Sequence, residues 1–190
     1  EAFCNKWLNS VVLKENAWII FPPKSDRSYR IESFIKEYTQ EYSFIKVSLQ
    51  ENLIEEAADW RRYIDSHLFA LPRNRIVVCI TDAERLLMER SWLQEAIANT
   101  YRVGPQVSFL FFSEKDINAH LKNALIQHRI VHPLYNFIDV KQFIAYLEEK
   151  FEVSCSEAEK EIIFSHTNGF LWLVKHIIRL KKTMSLKKAL

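Results

Sequence analysis

The segment Phe21 to Ser28 reads Phe-Pro-Pro-Lys-Ser-Asp-Arg-Ser and lies where a phosphate-binding loop would lie. It follows the apolar run Ala17 to Ile20 and precedes a stretch with helical spacing, so strand, tight loop and helix succeed one another. The phosphate-loop pattern GxxxxGK[ST] aligns with this segment without a gap. In that alignment only the last position, Ser28, keeps the expected residue type.

The other aligned positions carry chemistry that is unsuited to a polyphosphate. Such a loop turns successive backbone N–H groups inward, which requires glycine where φ is positive or where the phosphate approaches the backbone. Phe21 and Asp26 occupy these two glycine positions, and the Asp26 carboxylate repels an anionic ligand. Arg27 replaces the lysine, and its planar fork does not reach as an ammonium does. We therefore predict that this segment has the position of a phosphate-binding loop but lacks the residues that would bind a phosphate.

The composition describes one globular chain with few glycines. Its 190 residues suffice for one core, or for a domain of about 130 to 140 residues with a small appended one. The fractions of hydrophobic (48%), aromatic (13%) and charged (26%) residues are typical of a folded soluble protein. The only glycines are Gly104 and Gly169, which leaves little room for a glycine-dependent ligand loop.

The charge pattern does not indicate nucleic acid binding over the whole surface, since the net charge is +2 and acidic and basic residues are interspersed. The exception is the stretch Lys175 to Lys188, which contains six basic residues and no acidic one. Cations at a solvated helix end, where they favour the helix dipole, account for this stretch in the simplest way. A phosphate or nucleic acid contact is the alternative.

Cysteine usage and hydropathy bear on the cellular setting. Cys4, Cys79 and Cys155 are odd in number, widely spaced and outside any CxxC pattern, so we expect reduced thiols and a cytoplasmic protein. No apolar run approaches 18 residues, so no membrane segment is expected. Because the first residue is Glu1 rather than methionine, we expect a processed chain or a fragment of a longer one.

Strands and helices are predicted to alternate over the first 135 residues. The predicted helices are Ala2 to Lys14, Ser28 to Gln40, Glu51 to Phe69, Ala83 to Tyr101 and Lys115 to Gln127. The predicted strands are Ala17 to Ile20, Ser43 to Leu49, Arg75 to Thr81, Val107 to Phe112 and Arg129 to His132. This order predicts an α/β domain with three layers, in which helices cover a parallel five-stranded sheet.

Residues 136–190 are predicted to form a second, all-helical subdomain. Val140 to Phe151, Ser156 to His166 and Phe170 to Lys181 have helical spacing, with no strand between them. Ser156 and Glu159 have the spacing of a capping box at the start of the second of these helices.

Three motifs and their order resemble those of the AAA+ and STAND branches of the P-loop NTPases, including origin-recognition-type subunits. Phe21 to Ser28 matches the GPPGTGKT form of Walker A, with both prolines kept. Ile76 to Leu86 is similar to the Walker B strand hhhhDEADRL, and Phe109 to Glu114 is similar to the sensor 1 strand. The three helices at the end of the chain resemble the helical lid. The resemblance implies a P-loop NTPase-like domain over residues 1–135 and a lid over residues 136–190.

The resemblance also implies roles for the Walker B residues, and this chain departs from them. In the family an Asp holds Mg²⁺ and the following Glu orients the attacking water. Thr81 takes the Asp position and Asp82 the Glu position. If the register slides by one, Asp82 becomes the magnesium ligand but Ala83 replaces the catalytic Glu. One carboxylate is missing in either case, so we expect no ATP hydrolysis, no metal and no cofactor.

Five further residues resemble functional positions of the family. Ser113 and Glu114 follow the fourth strand, where open α/β sheets bind ligands, although a helix cap would explain them equally well. Arg129 lies near the place of an arginine finger, and Lys175 and Arg179 resemble sensor 2 residues. Surface and helix-end cations are the alternatives for all three.

A pair of histidines is the remaining candidate for chemistry. His128 and His132 are four residues apart around the last strand and would share a face of a regular strand. Metal binding would need further ligands, and the sequence shows none nearby.

The sequence leaves three functional hypotheses. The first is a catalytically inactive scaffold or regulatory module of a larger cytoplasmic protein, involved in transcription or signal transduction, with protein partners or an effector domain beyond Leu190. The second is a nucleotide-binding switch that uses Lys24, Ser25, Arg27 and Ser28, with ATP and Mg²⁺ as cofactors. The third is a DNA-associated, non-hydrolysing subunit whose binding is weakened by neutralising Lys181 and Lys182.

Overall fold

The structure is a computed structural model that describes residues 2–23, 25, 27–52, 54–68, 75–87, 91–103, 107–117, 125–132 and 135–190. Its helices are α1 (Ala2–Val12), α2 (Arg27–Tyr38), α3 (Ala57–Leu68), α4 (Ser91–Val103), α5 (Phe137–Phe151), α6 (Glu157–Thr167), α7 (Leu171–Lys181) and α8 (Leu186–Ala189). Its strands are β1 (Ala17–Ile20), β2 (Ser43–Ser48), β3 (Ile76–Thr81), β4 (Val107–Ser113) and β5 (His128–Val131).

The five strands form one parallel sheet in the order β2-β3-β4-β1-β5. Every residue of β3 and β4 is buried, as expected for strands that are covered on both faces. The predicted α/β fold with a parallel five-stranded sheet is therefore confirmed.

One face of the sheet packs against α3 and α4. Trp60 and Ile64 of α3 and Ile97 of α4 are buried in one cluster with strand residues such as Val78 and Phe109. The Trp60 indole N–H also donates to the Thr100 hydroxyl at 3.2 Å, which ties α3 to α4.

The opposite face carries a compact aromatic cluster. The Trp7 ring of α1 lies 5.8 Å from Phe21, 5.3 Å from Phe34 and 5.3 Å from Phe112, each in an edge-to-face arrangement. His132 lies nearly parallel to Phe21, with ring centroids 4.6 Å apart. Because this cluster joins α1, α2 and the ends of β1 and β4, it fixes the backbone just where the loop after β1 begins.

The buried Asn16 side chain links three segments in front of the sheet. Its amide N–H donates to the Leu125 carbonyl at 2.9 Å, and its oxygen accepts the Phe109 N–H at 2.9 Å. Its backbone N–H donates to the Gln127 side chain at 2.7 Å. Asn16 thereby aligns the start of β1 with both of its neighbouring strands.

Three helix predictions differ from the structure. The helix expected from Glu51 begins only at Ala57, because the Asp59 carboxylate accepts the N–H groups of residues 55 and 56 and holds them in a bend. The helix expected from Ala83 is divided into a 3-10 turn, Ala83–Leu87, and α4. The described ends of the helix expected from Lys115 to Gln127 are not helical, and its centre lies outside the described residues.

The chain divides into two compact units. The first comprises Glu1–Phe21 and Ser33–His132 and contains the sheet. The second comprises Pro22–Glu32 and Pro133–Leu190, so the segment after β1 and the first turns of α2 cluster with the C-terminal helices.

The second unit is built of helices with well-formed ends. The predicted capping box is confirmed: the Ser156 hydroxyl accepts the Glu159 N–H, and the Glu159 carboxylate accepts the Ser156 N–H. Glu152 and Asn168 end α5 and α6 in the left-handed conformation. Gly169 follows with φ 83°, and a Cβ there would lie 2.1 Å from the Tyr135 carbonyl oxygen, so only glycine fits this approach.

No helix among the described residues is both long and apolar enough to cross a membrane.

Candidate functional site

The carboxyl ends of the strands bring several of the predicted residues to one edge of the sheet. β3 and β4 are parallel neighbours, so Thr81 and Ser113 end at the same edge. Ile20, the last residue of β1, is in register with Ser113. This edge is where open α/β sheets bind ligands, and it is the candidate site of the first unit.

Asp82 is held at this edge by hydroxyl groups. Its φ is 58°, a left-handed conformation that is uncommon for a residue other than glycine. The Ser48 hydroxyl donates to the Asp82 carboxylate at 2.9 Å, and Ser48 accepts the N–H groups of Gln50 and Glu51. The Thr81 hydroxyl lies 3.4 Å from both the Asp82 carboxylate and the Val47 carbonyl, so its one proton can serve only one of them.

Ser113 and Glu114 are placed differently although they are adjacent. Ser113 is fully buried, its hydroxyl accepts the Lys115 N–H at 2.9 Å, and its carbonyl accepts the Phe21 N–H at 2.8 Å. Glu114 is exposed. Ser113 therefore shapes the turn after β4, whereas Glu114 faces solvent.

Arg129 lies on the edge strand β5 and forms a two-pronged ion pair with Asp116. The two N–O distances are 2.7 and 2.6 Å, and both side chains are about half exposed, at 43% and 55%. The hydrogen bond to Asp116 raises the pKa of Arg129. In this conformation the Arg129 guanidinium is paired with the Asp116 carboxylate of the same chain.

Phe21 is at the position of the first Walker A glycine, and it is completely buried. Its ring stacks on His132 and contacts Trp7 and Phe112. Its backbone N–H bond to Ser113 extends the pairing of β1 with β4 by one residue. A position that glycine would leave open to a ligand thus belongs to the hydrophobic core.

The remaining loop residues are in the second unit. Ser25 is buried at 2% exposure, Arg27 begins α2 and is half-buried, and Ser28 is exposed. Lys24 and Asp26 lie outside the described residues.

The first turns of α2 contact α5 within this unit. Arg30, only 7% exposed, lies 2.6 Å from the Asp139 carboxylate, and its guanidinium is over the Tyr135 ring at 5.5 Å. The Tyr29 ring lies 4.7 Å from Phe143 and 5.2 Å from Tyr146. An ion pair and an aromatic cluster therefore hold the segment after the loop to the C-terminal helices.

The other candidates are dispersed. Lys175 is half-buried on α7. His128 pairs with the Glu15 carboxylate, whereas His132 is buried in the aromatic cluster, so the two histidines lie in different surroundings. Among the residues that the structure describes, no three His, Cys, Asp or Glu side chains gather as metal ligands would.

Comparison with known proteins gives a result at the level of fold. No family profile matches this sequence, and no curated protein matches it. A Walker-type ATPase of Pyrococcus abyssi is similar in structure, with a TM-score of 0.67 at 11% identity over 98% of this chain and 68% of that one. RuvB of Thermotoga maritima gives a TM-score of 0.62 at 14% identity, over 96% of this chain and 68% of that one. The AAA domain of FIGL-1 in complex with ADP gives 0.67 at 13% identity, over 92% and 62%.

The chain has an AAA+ ATPase-like fold. At these identities the similarity concerns the fold alone, and the activities of the neighbours are not transferred to this chain.

Sequence reasoning missed three features of these sites. Ser48 holds Asp82, and its position at the end of a predicted strand beside β3 could have indicated this. Arg30 and Asp139 are far apart in sequence, and no local pattern connects them. The role of Phe21 in the core could have been suspected, because an aromatic residue directly continues the apolar run of β1.

Proposed function

We propose that this chain is a regulatory or scaffold module that keeps an AAA+-like fold and does not hydrolyse ATP. The observation that carries the proposal is the burial of Phe21, whose ring is packed among Trp7, Phe112 and His132. A phosphate loop needs a glycine here so that its backbone can approach the ligand closely. In this chain the Phe21 side chain fills that space and packs in the core instead.

The state of the Walker B residues supports the same proposal. Phosphoryl transfer depends on positioning and on neutralising charge with Mg²⁺, which prefers anionic oxygen ligands. Thr81 offers a neutral hydroxyl, and the Asp82 carboxylate accepts a hydrogen bond from Ser48. Only one carboxylate is therefore present at the two Walker B positions.

The contacts of α2 in the second unit supply a further argument. Arg30 with Asp139, and Tyr29 with Phe143, hold the first turns of α2 to the C-terminal helices. A bound nucleotide is therefore not needed to keep this segment in place. We infer that the module works in one nucleotide-independent conformation.

The partners belong to the proposal as well. A module without turnover acts through contacts, either with other proteins or with an effector domain linked beyond Leu190. The resemblance to STAND and AAA+ regulators favours transcription or signalling in the cytoplasm as the setting, and fold alone does not establish it.

Calorimetric titration with ATP and ADP, with and without Mg²⁺, tests the proposal. We expect no binding at millimolar nucleotide and no phosphate release. A ligand at 100 times its Kd would add about 2.7 kcal/mol to the free energy of unfolding, so a thermal melt with 1 mM ATP provides an independent readout. A micromolar Kd, corresponding to about −8 kcal/mol, would contradict the proposal.

Three variants identify the origin of any binding that is seen. Binding through the loop should be lost in Arg27→Ala and tightened in Asp26→Gly, which removes the repelling carboxylate. Asp82→Asn distinguishes an active ATPase from an inactive scaffold, because the change should abolish ATP turnover in an ATPase. In the scaffold we propose, the same change affects only stability, through the bond to Ser48.

A further inference from the structure

The outer face of α7 combines exposed aromatic rings with basic side chains. Trp172 is 45% exposed, and its ring is parallel to that of His176, with an interplanar angle of 5° and centroids 5.8 Å apart. Large aromatic side chains are usually buried, so a tryptophan with this exposure in a folded helix is notable. The two rings form an offset pair on the solvent side of the helix.

Exposed basic residues follow these two rings along the sequence toward the C-terminus. Arg179 is seven residues after Trp172, two helical turns along the same side of α7, and it is exposed. Lys182, Lys187 and Lys188 follow and are exposed too. Leu186 is buried in the core of the second unit, which anchors the two lysines of α8 to that unit.

No carboxylate of this stretch opposes these cations. From Ile162 to Leu190 the sequence contains no Asp or Glu. Lys181 is different, because it pairs with Glu159 at 2.8 Å and donates to the Ser154 carbonyl. Lys181 therefore takes part in internal contacts of the unit, whereas Lys182, the other lysine of the sequence-based DNA hypothesis, is exposed, as is Arg179.

We propose that this face, defined by Trp172, His176, Arg179, Lys182, Lys187 and Lys188 and called here the α7 face, binds single-stranded nucleic acid. Nonspecific single-strand sites combine aromatic rings on which bases stack with cations that follow the phosphates. The α7 face has both components, with the rings and Arg179 on α7 and the lysines in the segment that follows it. A duplex would leave the rings without a role, because its bases are stacked on each other.

The charge of the face also bears on other polyanions. An acidic peptide could bind the cations but offers no flat π-surface to the Trp172 and His176 rings. An anionic membrane could take up both the cations and Trp172, so vesicles are compared with the oligonucleotide in the test. This proposal does not depend on nucleotide binding at the sheet edge, because its residues belong to the second unit and that edge belongs to the first.

The test is fluorescence anisotropy of the 190-residue chain with a labelled oligonucleotide of about 12 nucleotides. We expect Trp172→Ala to weaken binding by about 10-fold, since stacking on one aromatic ring is worth about 1–3 kcal/mol per base. Trp172→Phe keeps a π-face and should largely restore binding. Binding should quench tryptophan fluorescence, and Trp172→Phe should remove much of this quenching, because Trp7, Trp18 and Trp60 are buried and Trp92 is half-buried in the first unit.

Salt dependence tests the cations separately. The slope of log K against log salt is about −0.7 for each neutralised phosphate of a single strand. The double variant Arg179→Gln, Lys182→Gln should therefore make the slope less steep by about 1.4. Arg62→Gln and Lys36→Gln are the matched controls, since both residues are exposed on helices of the first unit, and they should leave the slope unchanged.

Three outcomes would overturn the proposal. One is the absence of binding to the oligonucleotide at low salt. Another is binding that Trp172→Ala and the double variant leave unchanged. The third is binding of polyglutamate or of phosphatidylserine vesicles as tight as that of the oligonucleotide, which would identify a general polyanion surface. Circular dichroism of each variant shows whether the fold is retained.

Discussion

Phe21 lies where β1 ends, and its side chain has no exposed surface. Its ring contacts Trp7 of α1, Phe112 of β4 and His132, which follows β5. A glycine at this position would remove those contacts and leave a cavity. Phenylalanine in place of glycine thus fills the space through which a ligand would approach the backbone, and it adds to the packing of the core.

The first residue-scale prediction concerns Phe21→Gly. Removing a buried Phe side chain costs about 3–5 kcal/mol of unfolding free energy, and glycine adds a backbone entropy cost of roughly 0.5–1 kcal/mol. Urea denaturation should show this loss, whereas Phe21→Leu should lose less because it fills most of the space. We expect no ATP binding in Phe21→Gly, and a variant that gained it at unchanged stability would contradict the packing argument.

The surroundings of a residue can be predicted from the sequence where its neighbours along the chain determine them. Cys79 is within a continuous apolar strand, a setting that favours a buried thiol, and its thiol is buried. Burial raises its pKa to about 12, so the thiol stays protonated and unreactive. The surroundings of His132 depend on Trp7 and Phe21, which the sequence does not place beside it.

At the scale of elements, helix starts were predictable where the signal is contained in a few residues. The capping box of α6 requires only Ser156 and Glu159, and both of its hydrogen bonds are formed. The start of α3 depends instead on a bend held by Asp59, where the apolar spacing alone suggested a longer helix. Periodicity finds the helix, and side-chain bonds determine where it begins.

The element-scale prediction concerns the cap of α6. Ser156→Ala removes the acceptor for the Glu159 N–H and should cost about 1 kcal/mol of unfolding free energy. Ser185→Ala is the matched control, because Ser185 precedes α8 without a capping bond from its side chain. Equal losses in the two variants, measured by urea denaturation, would show that the cap contributes nothing specific.

At the scale of the whole molecule, the second unit is discontinuous in sequence. It combines Pro22–Glu32 with the C-terminal helices, and a boundary drawn near residue 135 separates these parts. The sequence shows the change from alternating elements to helices only, but not the return of an earlier segment to a later core. Such long-range contacts depend on the folded chain rather than on any local pattern.

The whole-molecule prediction follows from this discontinuity. A fragment of residues 136–190 lacks Tyr29, which covers Phe143, and Arg30, which pairs with Asp139. With so short a chain and part of its core uncovered, we expect broad, weakly cooperative thermal unfolding by circular dichroism. A sharp transition, as steep as that of the same helices in the full chain, would show that the fragment is a complete domain.

Tyr29→Ala in the full chain tests the same contacts without truncation. The change uncovers Phe143 and should increase the hydrogen exchange of the α5 amides, because local stability there depends on this packing. Tyr38→Ala is the matched control on the same helix, since Tyr38 belongs to the first unit and packs against Phe34. If both variants increase exchange in α5 equally, the effect comes from α2 as a whole and the specific role of Tyr29 is rejected.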